Sequence, residues 1–297
     1  MAAIAVSGAS GLLGRRLCAA LEAGGWRVLR LVRGAPRAKG ELAWSPAAGR
    51  LDPAPLAGIE AFVHLSGEPI AGVRWTAARK RAISASRIDS TRLVAETLAR
   101  MPGRPALLCA SAVGFYGDRG SEWLDETSPQ GTGFLAHVCG EWERACEPAR
   151  AAGLRVVQLR FGVVLDRAGG ALAALLRAHR LGLGGALGPG TQYVSWISAA
   201  DAVSALQHTL VSAALVGPVN LVAPAPLSNA ELSRALARAL GRPAFLRVPA
   251  PLLRLALGQA ADEMLLVSQR VRPAKLVASG FGFLAPELEP ALRGMLA

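Results

Sequence analysis

The chain is poor in cysteine, histidine and tyrosine, and it has fewer acidic than basic side chains. Its four cysteines form no C-x-x-C pair, and its four histidines are not at zinc-ligand spacing. We therefore expect reduced, mostly buried thiols and no metal site. The 33 Lys and Arg against 21 Asp and Glu give a net charge of +12. Because these cations are scattered, with Arg79-Lys80-Arg81 as the densest cluster, we interpret the charge as a basic surface without a nucleic-acid partner.

Long uninterrupted apolar runs are also missing. Residues 181–200 and 209–230 lack ionised side chains and approach membrane-spanning length, but Gly and Pro interrupt both stretches. A transmembrane helix is therefore not expected. The N-terminus has no basic segment followed by a long apolar core, which argues against an ordinary cleaved signal. With 52% hydrophobic and 18% charged residues, the composition predicts a globular protein. Since neither a signal nor a membrane span is predicted, we expect a cytoplasmic protein without a membrane partner, as a monomer or homodimer.

Glycine is abundant, and its spacing near the N-terminus is the most informative pattern in the chain. An apolar run at residues 3–7 leads into Gly8-x-x-Gly11-x-x-Gly14, and a second apolar run follows at 27–32. This order is typical of the first βαβ unit of a dinucleotide-binding domain. Gly8 permits a tight turn, Gly11 lets the backbone approach a pyrophosphate, and Gly14 lets the helix pack closely on the strand. The free N–H groups of the helix N-terminus would then bind phosphates.

Arg33 indicates which dinucleotide is bound. It stands 19 residues after Gly14, where an Asp or Glu would bind the ribose 2′-hydroxyl of NAD. A cation at this place favours a 2′-phosphate, so the sequence predicts NADP(H). The alternative is a glycine turn in another kind of α/β protein, with Arg33 as a solvated surface residue.

The alternation of apolar runs and helical stretches predicts the architecture. Predicted strands lie at residues 3–7, 27–32, 61–65, 106–110, 156–159 and 219–222, and predicted helices at 12–23, 77–100, 134–152 and 200–212. This pattern predicts an α/β fold with a Rossmann-type, doubly wound parallel sheet over residues 1–225. Further helices are predicted at 229–240, 251–257, 260–271 and 286–296. We therefore expect a small, mostly helical C-terminal lobe over 226–297, which closes a substrate cleft at the carboxyl ends of the strands.

Polar and small residues follow the third apolar run, where the ligand crevice of such a sheet lies. The sequence there is His64-Leu65-Ser66-Gly67-Glu68. The small residues suit a backbone that passes beside the adenosine or the pyrophosphate. His64 either faces the cofactor or is a core residue, and Glu68 is either a surface carboxylate or a contact in the cleft.

Hydroxyl groups follow the fourth run. Ser111 and Tyr116 would place two hydroxyls where a nicotinamide ring lies, and such groups can orient a carbonyl or transfer a proton. The alternative is a loop with a half-buried tyrosine.

Arg160, after the fifth run, either binds a carboxylate or phosphate or forms a structural ion pair. A glycine-dense loop at 184–197 leads to Asp201, which either follows a binding loop or lies near a helix N-terminus.

Together these motifs resemble the atypical extended short-chain dehydrogenase/reductases known as epimerase family proteins, which are NAD-dependent epimerase/dehydratase-like. The residues that carry the resemblance are the glycine loop at 8–14, His64 to Pro69, Ser86-Arg87-Ile88, Ser111 to Gly117, Trp142-Glu143, Gly162 to Leu165, Gly184-Gly185, Gln192, Ser195-Trp196-Ile197 and Asp201. Residues 220–224, 242–243 and 265–273 resemble that family's C-terminal domain of unknown function. The resemblance runs nearly end to end.

The resemblance implies a Rossmann fold with NADP(H) bound across the strand edge. The cofactor contacts that it implies are Gly8, Ser10, Gly11, Leu12, Leu13, Gly14, Arg33, His64, Leu65, Ser66, Gly67, Glu68 and Arg87.

The chain departs from the wider superfamily in its proton relay. Active members carry a helical Tyr-x-x-x-Lys motif, in which the lysine lowers the tyrosine pKa. Here Phe134 stands at the tyrosine position and Val138 at the lysine position, and no tyrosine has a lysine four residues on. Any catalysis therefore needs a substitute. Tyr116 is the favoured acid or base, and the other candidates are Ser111, Glu68, Gln192 and Cys139.

Two functions remain open. The first is an NADP(H)-dependent oxidoreductase or epimerase that acts on an unidentified small molecule, for which the polar loop around Gln192 is evidence. The second is a non-catalytic NADP(H)-binding sensor or scaffold, which the missing Tyr-x-x-x-Lys pair favours.

Overall fold

The computed structural model describes residues 2–71 and 74–296, so Met1 and Ala297, the outer ends of the two predicted domain ranges, lie outside the described residues. The strands in chain order are β1 (Ala3–Ser7), β2 (Arg27–Val32), β3 (Glu41–Ser45), β4 (Arg50–Leu51), β5 (Ile59–His64), β6 (Ala106–Ala112), β7 (Trp123–Leu124), β8 (Val156–Phe161), β9 (Val163–Asp166), β10 (Gly185–Leu187), β11 (Tyr193–Val194), β12 (Trp196–Ser198), β13 (Gly217–Leu221), β14 (Leu227–Ser228), β15 (Leu246–Val248) and β16 (Arg270–Val271). The α-helices are α1 (Leu12–Ala23), α2 (Ala77–Ala99), α3 (Phe134–Arg144), α4 (Glu147–Ala151), α5 (Gly170–Arg180), α6 (Ala199–Val211), α7 (Asn229–Leu240), α8 (Ala250–Leu257), α9 (Gln259–Met264), α10 (Ala274–Ala278) and α11 (Leu288–Leu296).

Eight strands form the main sheet in the order β13-β8-β6-β5-β1-β2-β3-β4. All neighbours in it run parallel except β3 and β4. The chain order reverses between β1 and β5, and ligands of such sheets bind outside the carboxyl ends of the strands at this switch point. The predicted doubly wound parallel sheet is therefore confirmed.

Helices cover both faces of the sheet, which explains the nearly continuous apolar runs of its strands. On one face, Leu98 of α2 and Trp142 of α3 pack in a cluster with Phe62 of β5. On the other face, Leu17 of α1 and Leu206 of α6 pack around Val6 of β1. These two clusters hold β1 and β5 rigidly, and with them the loops that leave their carboxyl ends.

A third hydrophobic cluster forms the core of the C-terminal part. It joins Leu172 of α5, Leu232 of α7 and Leu292 of α11 around the fully buried Trp196 of β12. Short strand pairs tie the same parts together, since β12 pairs with β9, β10 with β15 and β11 with β14. The core of this lobe therefore draws on residues before 225, and the division at that residue stays a prediction.

Several predicted boundaries match the structure and others do not. The predicted β1, β2, α1 and α7 have the observed bounds. The single helix predicted over 134–152 is wrong, because the chain forms α3 and α4 with Pro148 in the first turn of α4. The helix predicted over 260–271 is also wrong in its second half. There the Ser268 N–H donates to Asp118, and β16 pairs with β7, so tertiary contacts replace helical ones.

All four cysteines are free and buried. Among residues 2–71 and 74–296, no helix has both the length and the apolar character to cross a membrane. Within that part of the chain, no three His, Cys, Asp or Glu side chains are grouped so that they could hold a metal ion.

Candidate functional site

A cleft of about 790 Å³ opens at the carboxyl ends of β1, β2 and β5. It brings together eight of the residues predicted to bind a cofactor, which are Gly8, Ser10, Gly11, Arg33, Leu65, Ser66, Gly67 and Glu68. Further lining comes from Trp44 to Ala47 beyond β2 and from Ser86, Asp89 and Ser90 on α2. These two groups were not predicted as lining, because neither lies at the end of a predicted strand.

Two glycines, one in the loop between β1 and α1 and one in the first turn of α1, have no room for a side chain. A Cβ on Gly8, whose φ is +72°, would lie 2.8 Å from the carbonyl carbon of Leu65. A Cβ on Gly14 would lie 2.1 Å from the carbonyl oxygen of Gly8. Gly8 therefore makes the turn and Gly14 lets α1 pack against it, as the spacing predicts.

The N-terminus of α1 is suited to an anion. Gly11 caps the helix without a side-chain hydrogen bond, and the first turn carries no acidic residue. The first backbone bond of the helix runs from the Arg15 N–H to the Gly11 carbonyl. The preceding N–H groups of Leu12 and Leu13 therefore have no acceptor in the described part of the chain, and the helix dipole adds a partial positive charge there. The Leu12 side chain itself lies against Gly169, so any contact of Leu12 with a phosphate would use its backbone.

A cluster of charged side chains lies at the edge of the cleft. Arg33 extends into solvent with 79% of its side chain exposed, and its Nη1 is 3.9 Å from Oε1 of Glu68. The other carboxylate oxygen of Glu68 accepts a hydrogen bond from Nη1 of Arg79 at 3.3 Å. The edge of the cleft therefore combines the cations of Arg33 and Arg79 with the Glu68 carboxylate, at the place where Arg33 predicts a 2′-phosphate.

Arg87 supports this cleft from below. Its Nη2 donates to the Glu68 carbonyl at 3.1 Å, and its guanidinium group lies over the Trp142 ring. Arg87 is not among the lining residues of the cleft. The side chain therefore fixes the backbone of the loop after β5, although the resemblance implied a cofactor contact.

His64 is a core residue, which decides between its two interpretations. It is completely buried, with Nδ1 2.6 Å from Ser7 Oγ and Nε2 3.0 Å from Ser90 Oγ. Burial lowers the pKa of His64 to about 3, so the imidazole is neutral. The expectation that its side chain faces a cofactor needs correction, because both ring nitrogens are used in the floor beneath the cleft.

Ser111 and Tyr116 also need correction, because the structure removes both hydroxyls from any open surface. Tyr116 is fully buried, and its hydroxyl donates to Oδ1 of Asn220 at 2.7 Å while accepting from Nη1 of Arg160 at 3.0 Å. Ser111 is 3% exposed and donates to Oε1 of Glu143 at 2.7 Å. Burial, opposed by the Arg160 charge, raises the pKa of Tyr116 to about 12. This hydroxyl is therefore a poor proton donor or acceptor near neutral pH.

Arg160 organises these hydroxyls into one buried network. It is 3% exposed and binds both carboxylate oxygens of Glu143 at 2.8 Å. Its guanidinium group also lies 3.6 Å from the centre of the Phe115 ring. Of the alternatives for Arg160, the structure supports the structural ion pair. We call Ser111, Tyr116, Glu143, Arg160 and Asn220 the β6–β8 network.

Helix α3 provides no tyrosine or lysine beside the end of β6. Phe134 packs edge-on against Trp75, with ring centres 5.3 Å apart, and Val138 is buried. The α3 side chains next to the loop are instead Leu135 and Cys139, since a Cβ on Gly114 would lie 3.7 Å and 3.6 Å from them. Burial and the Glu143 charge raise the pKa of the Cys139 thiol to about 12. The α3 pair beside the loop after β6 is therefore Leu135 and Cys139 and not Phe134 and Val138, and this pair also lacks an ordinary proton relay.

A smaller cavity of about 230 Å³ lies between the loop after β6 and the C-terminal lobe. Its lining includes Gly114, Gly117, Asp118, Thr132, Leu135, Ala136, Arg254, Asp262, Glu263, Leu266, Val267 and Gln269. The Glu263 carboxylate accepts hydrogen bonds from the backbone N–H groups of Phe134 and Leu135 at 3.0 and 2.6 Å, which caps α3. No pattern in the sequence indicated this cavity, because residues more than 100 positions apart line it.

Gln192, another candidate for catalysis, is buried beside the C-terminal lobe. Its Nε2 donates to the carbonyls of Leu187 and Leu265 at 2.9 and 2.8 Å. Its Oε1 is buried without a hydrogen-bond partner among the described residues. The side chain therefore ties the loop at 184–197 to the C-terminal lobe.

Comparison with known proteins links this arrangement to a family. The model of the NAD dependent epimerase/dehydratase family matches residues 4–220, and that of DUF1731, a domain of unknown function, matches residues 248–295. The epimerase family protein MT2273 of Mycobacterium tuberculosis is 46% identical over 282 residues, which cover 95% of this chain and 93% of that protein.

Two solved structures support the same assignment. The crystal structure of the human epimerase family protein SDR39U1 (isoform 2) with NADPH has a TM-score of 0.88 and 32% identity, and the match covers 99% of this chain and 98% of that one. A nucleoside-diphosphate sugar epimerase from Corynebacterium glutamicum has a TM-score of 0.84 and 37% identity, and the match covers 99% of this chain and 58% of that one.

Proposed function

Because this chain belongs to the NAD dependent epimerase/dehydratase family, we propose that it binds NADP(H) in the cleft between β1, β2 and β5. The observation that carries the proposal is the meeting of two features in one cleft. The N-terminus of α1 offers unpaired N–H groups, and Arg33 offers a cation at the end of β2. The NADPH that accompanies the human relative agrees with this cofactor.

The residues present fit the two charged parts of such a cofactor. The backbone N–H groups of Leu12 and Leu13 would hold the pyrophosphate, while the Gly11 N–H already donates to the Gly8 carbonyl at 2.9 Å. Arg33 would bind the 2′-phosphate. Ser66 and Gly67 leave space for the adenosine, because neither carries a large side chain. When bound, the nicotinamide ring gives or accepts a hydride, while this chain's residues orient it.

For the reaction, we propose an oxidoreductase or epimerase-type activity on an unidentified small molecule. The 230 Å³ cavity is a candidate substrate site, because it borders the loop after β6 and residues of the C-terminal lobe. Its polar lining includes an ion pair between Arg254 and Asp262, with Nε and Oδ1 2.8 Å apart. The β6–β8 network holds the hydroxyls of Ser111 and Tyr116 in hydrogen bonds, which argues against either of them as the proton donor of such a reaction.

That packing favours a second candidate, a non-catalytic NADP(H)-binding sensor or scaffold. Both hydroxyls near the end of β6 are buried and hydrogen-bonded, and α3 presents Leu135 and Cys139 to the same loop. A protein of this kind would bind NADPH tightly without turning over a substrate.

Two measurements test the proposals. Titration of the purified chain with NADPH and NADH, followed by nicotinamide fluorescence, should give tighter binding of NADPH; no binding of either would contradict the cofactor proposal. A stopped-flow screen of aldehydes, ketones and nucleotide sugars against the NADPH complex then tests catalysis. Loss of nicotinamide absorbance with any class supports the enzyme, while tight binding without turnover supports the sensor.

A further inference from the structure

We propose that in the free protein the Glu68 carboxylate pairs with Arg33, the residue that would bind the 2′-phosphate of NADPH. Glu68 therefore competes with this phosphate and limits how strongly the cleft prefers NADPH to NADH. This inference rests on the proposed function, since it concerns the same cleft. It assigns Glu68 a role in discrimination between the two cofactors, and it adds Arg79 as a residue that positions Glu68.

The geometry places Glu68 between two cations of unequal exposure. Its Oε1 is 3.9 Å from Nη1 of Arg33, whose side chain is 79% exposed. Its Oε2 is 3.3 Å from Nη1 of Arg79, whose side chain is 25% exposed. Arg33 has no other carboxylate partner among the described residues. The looser and more exposed of the two contacts is therefore the one to Arg33, and an incoming anion would break that contact first.

The backbone of Glu68 is fixed while its carboxylate is not. The Glu68 N–H donates to Ser86 Oγ at 3.1 Å, and its carbonyl accepts from Nη2 of Arg87 at 3.1 Å. Both partners lie on α2, which the core holds in place. The carboxylate can therefore leave Arg33 by side-chain rotation alone, and Arg79 keeps it nearby after it leaves.

Charge decides the direction of the effect. Arg33, Arg79 and Glu68 together carry one net positive charge, and a phosphate monoester adds about two negative charges. The sum over these three side chains and the phosphate is then negative with Glu68 present and close to zero without it. Glu68 also competes with the phosphate for Arg33. Neither the excess negative charge nor the competition for Arg33 applies to NADH, whose 2′-hydroxyl can donate a hydrogen bond to a carboxylate.

The test compares two probes of the adenosine half, adenosine 2′,5′-bisphosphate and 5′-AMP, by isothermal titration calorimetry. They differ in the 2′-phosphate, and neither contains nicotinamide, so activity does not enter the readout. We expect Glu68→Gln to strengthen binding of the bisphosphate about three- to fivefold, in the range of a screened charge contact at the surface. Binding of 5′-AMP should stay the same or weaken. Unchanged or weaker binding of the bisphosphate overturns the proposal.

Arg79→Met tests the positioning role. Without Arg79, Glu68 is free to pair fully with Arg33, so the bisphosphate should bind about threefold more weakly. In the Glu68→Gln background the loss should be smaller, because the change then removes only the charge of Arg79 and no positioned carboxylate is left to release. An equal loss in both backgrounds would show that Arg79 binds the phosphate itself, which overturns its positioning role.

Matched controls distinguish a local effect of Glu68 from a general effect of surface charge. Glu289→Gln removes a carboxylate from an exposed arginine pair in the C-terminal lobe, with Arg238, and should leave both probes unaffected. Circular dichroism of each variant checks that it is folded. If the wild-type chain binds neither the bisphosphate nor NADPH, the proposed function fails. If it binds both and Glu68→Gln does not strengthen the bisphosphate, only the role of Glu68 fails.

Discussion

The cleft at β1, β2 and β5 and the β6–β8 network occupy the same edge of one sheet, and each contains arginine beside glutamate. In the cleft, Arg33 is exposed and lies 3.9 Å from Glu68. In the network, Arg160 is 3% exposed and binds both oxygens of Glu143. An exposed, loose pair can exchange its carboxylate for another anion, whereas a buried bidentate pair cannot do so without leaving a charge unpaired. The first region is therefore suited to a ligand and the second to holding the fold together.

Arg160→Met is the strongest test of the structural role of the network. It leaves the largely buried Glu143 carboxylate with only the Ser111 hydrogen bond, and we expect the free energy of unfolding to fall by about 3 kcal/mol. Urea denaturation measures this change. Arg144→Met, which breaks an exposed pair with Glu141 on the same helix, is the control and should have a far smaller effect. If Arg160→Met kept full stability, the two regions would not differ as described.

Arg33→Asp tests the ligand-binding role of the cleft. Replacing the cation by an anion should weaken NADPH about 100-fold, or about 2.7 kcal/mol, while NADH changes less than about threefold. Fluorescence titration of both cofactors measures the ratio. Arg293→Asp changes the net charge equally on α11 and should leave the ratio unchanged. Equal losses for NADPH and NADH in Arg33→Asp would contradict the 2′-phosphate assignment.

The pH dependence of the free energy of unfolding tests whether His64, beneath the cleft, is a neutral buried residue. Its folded pKa of about 3 lies below the unfolded value of 6.5, so folding favours the neutral imidazole. This contribution is complete above about pH 6.5 and is lost as the pH falls toward 3. From pH 7.5 to 5.5 the free energy of unfolding should fall by about 1 kcal/mol, as measured by urea unfolding. His64→Gln should remove this part of the pH dependence, and an unchanged profile would argue against a neutral buried histidine.

Tyr116→Phe tests the contribution of a single hydroxyl to the β6–β8 network, and its effect should be small. The variant loses the hydroxyl between Arg160 and Asn220, and we expect about 1 kcal/mol of destabilisation in urea unfolding. NADPH binding, and any turnover found in the substrate screen, should remain unchanged. Loss of turnover at unchanged stability would make Tyr116 a candidate catalytic residue again.

Local sequence predicted the cleft better than the network. Gly8, Gly11, Gly14 and Arg33 lie within 26 residues, and their roles depend on a short βαβ unit whose geometry local spacing fixes. Ser111 and Tyr116 were also correctly located at the end of a strand. Their burial was not predictable, because it depends on partners at residues 143, 160 and 220.

The division between α3 and α4 and the capping of α3 by Glu263 were likewise not predictable from local sequence. Pro148 indicates a break, yet the helical pattern across it favours a single helix. Glu263 caps α3 from more than 100 residues away, and no periodicity in the sequence connects the two. Pairings of this kind depend on how the C-terminal lobe packs against the sheet.

The fold class, the glycine loop and the cation from which we infer a preference for NADPH follow from the sequence alone, since apolar periodicity and glycine spacing act over a single βαβ unit. The absence of the usual tyrosine and lysine is equally visible there. Which strand-end side chains face solvent depends instead on tertiary packing. Exposure is set by what distant segments place over a residue, and here those segments leave Arg33 and Glu68 open while they enclose Ser111 and Tyr116.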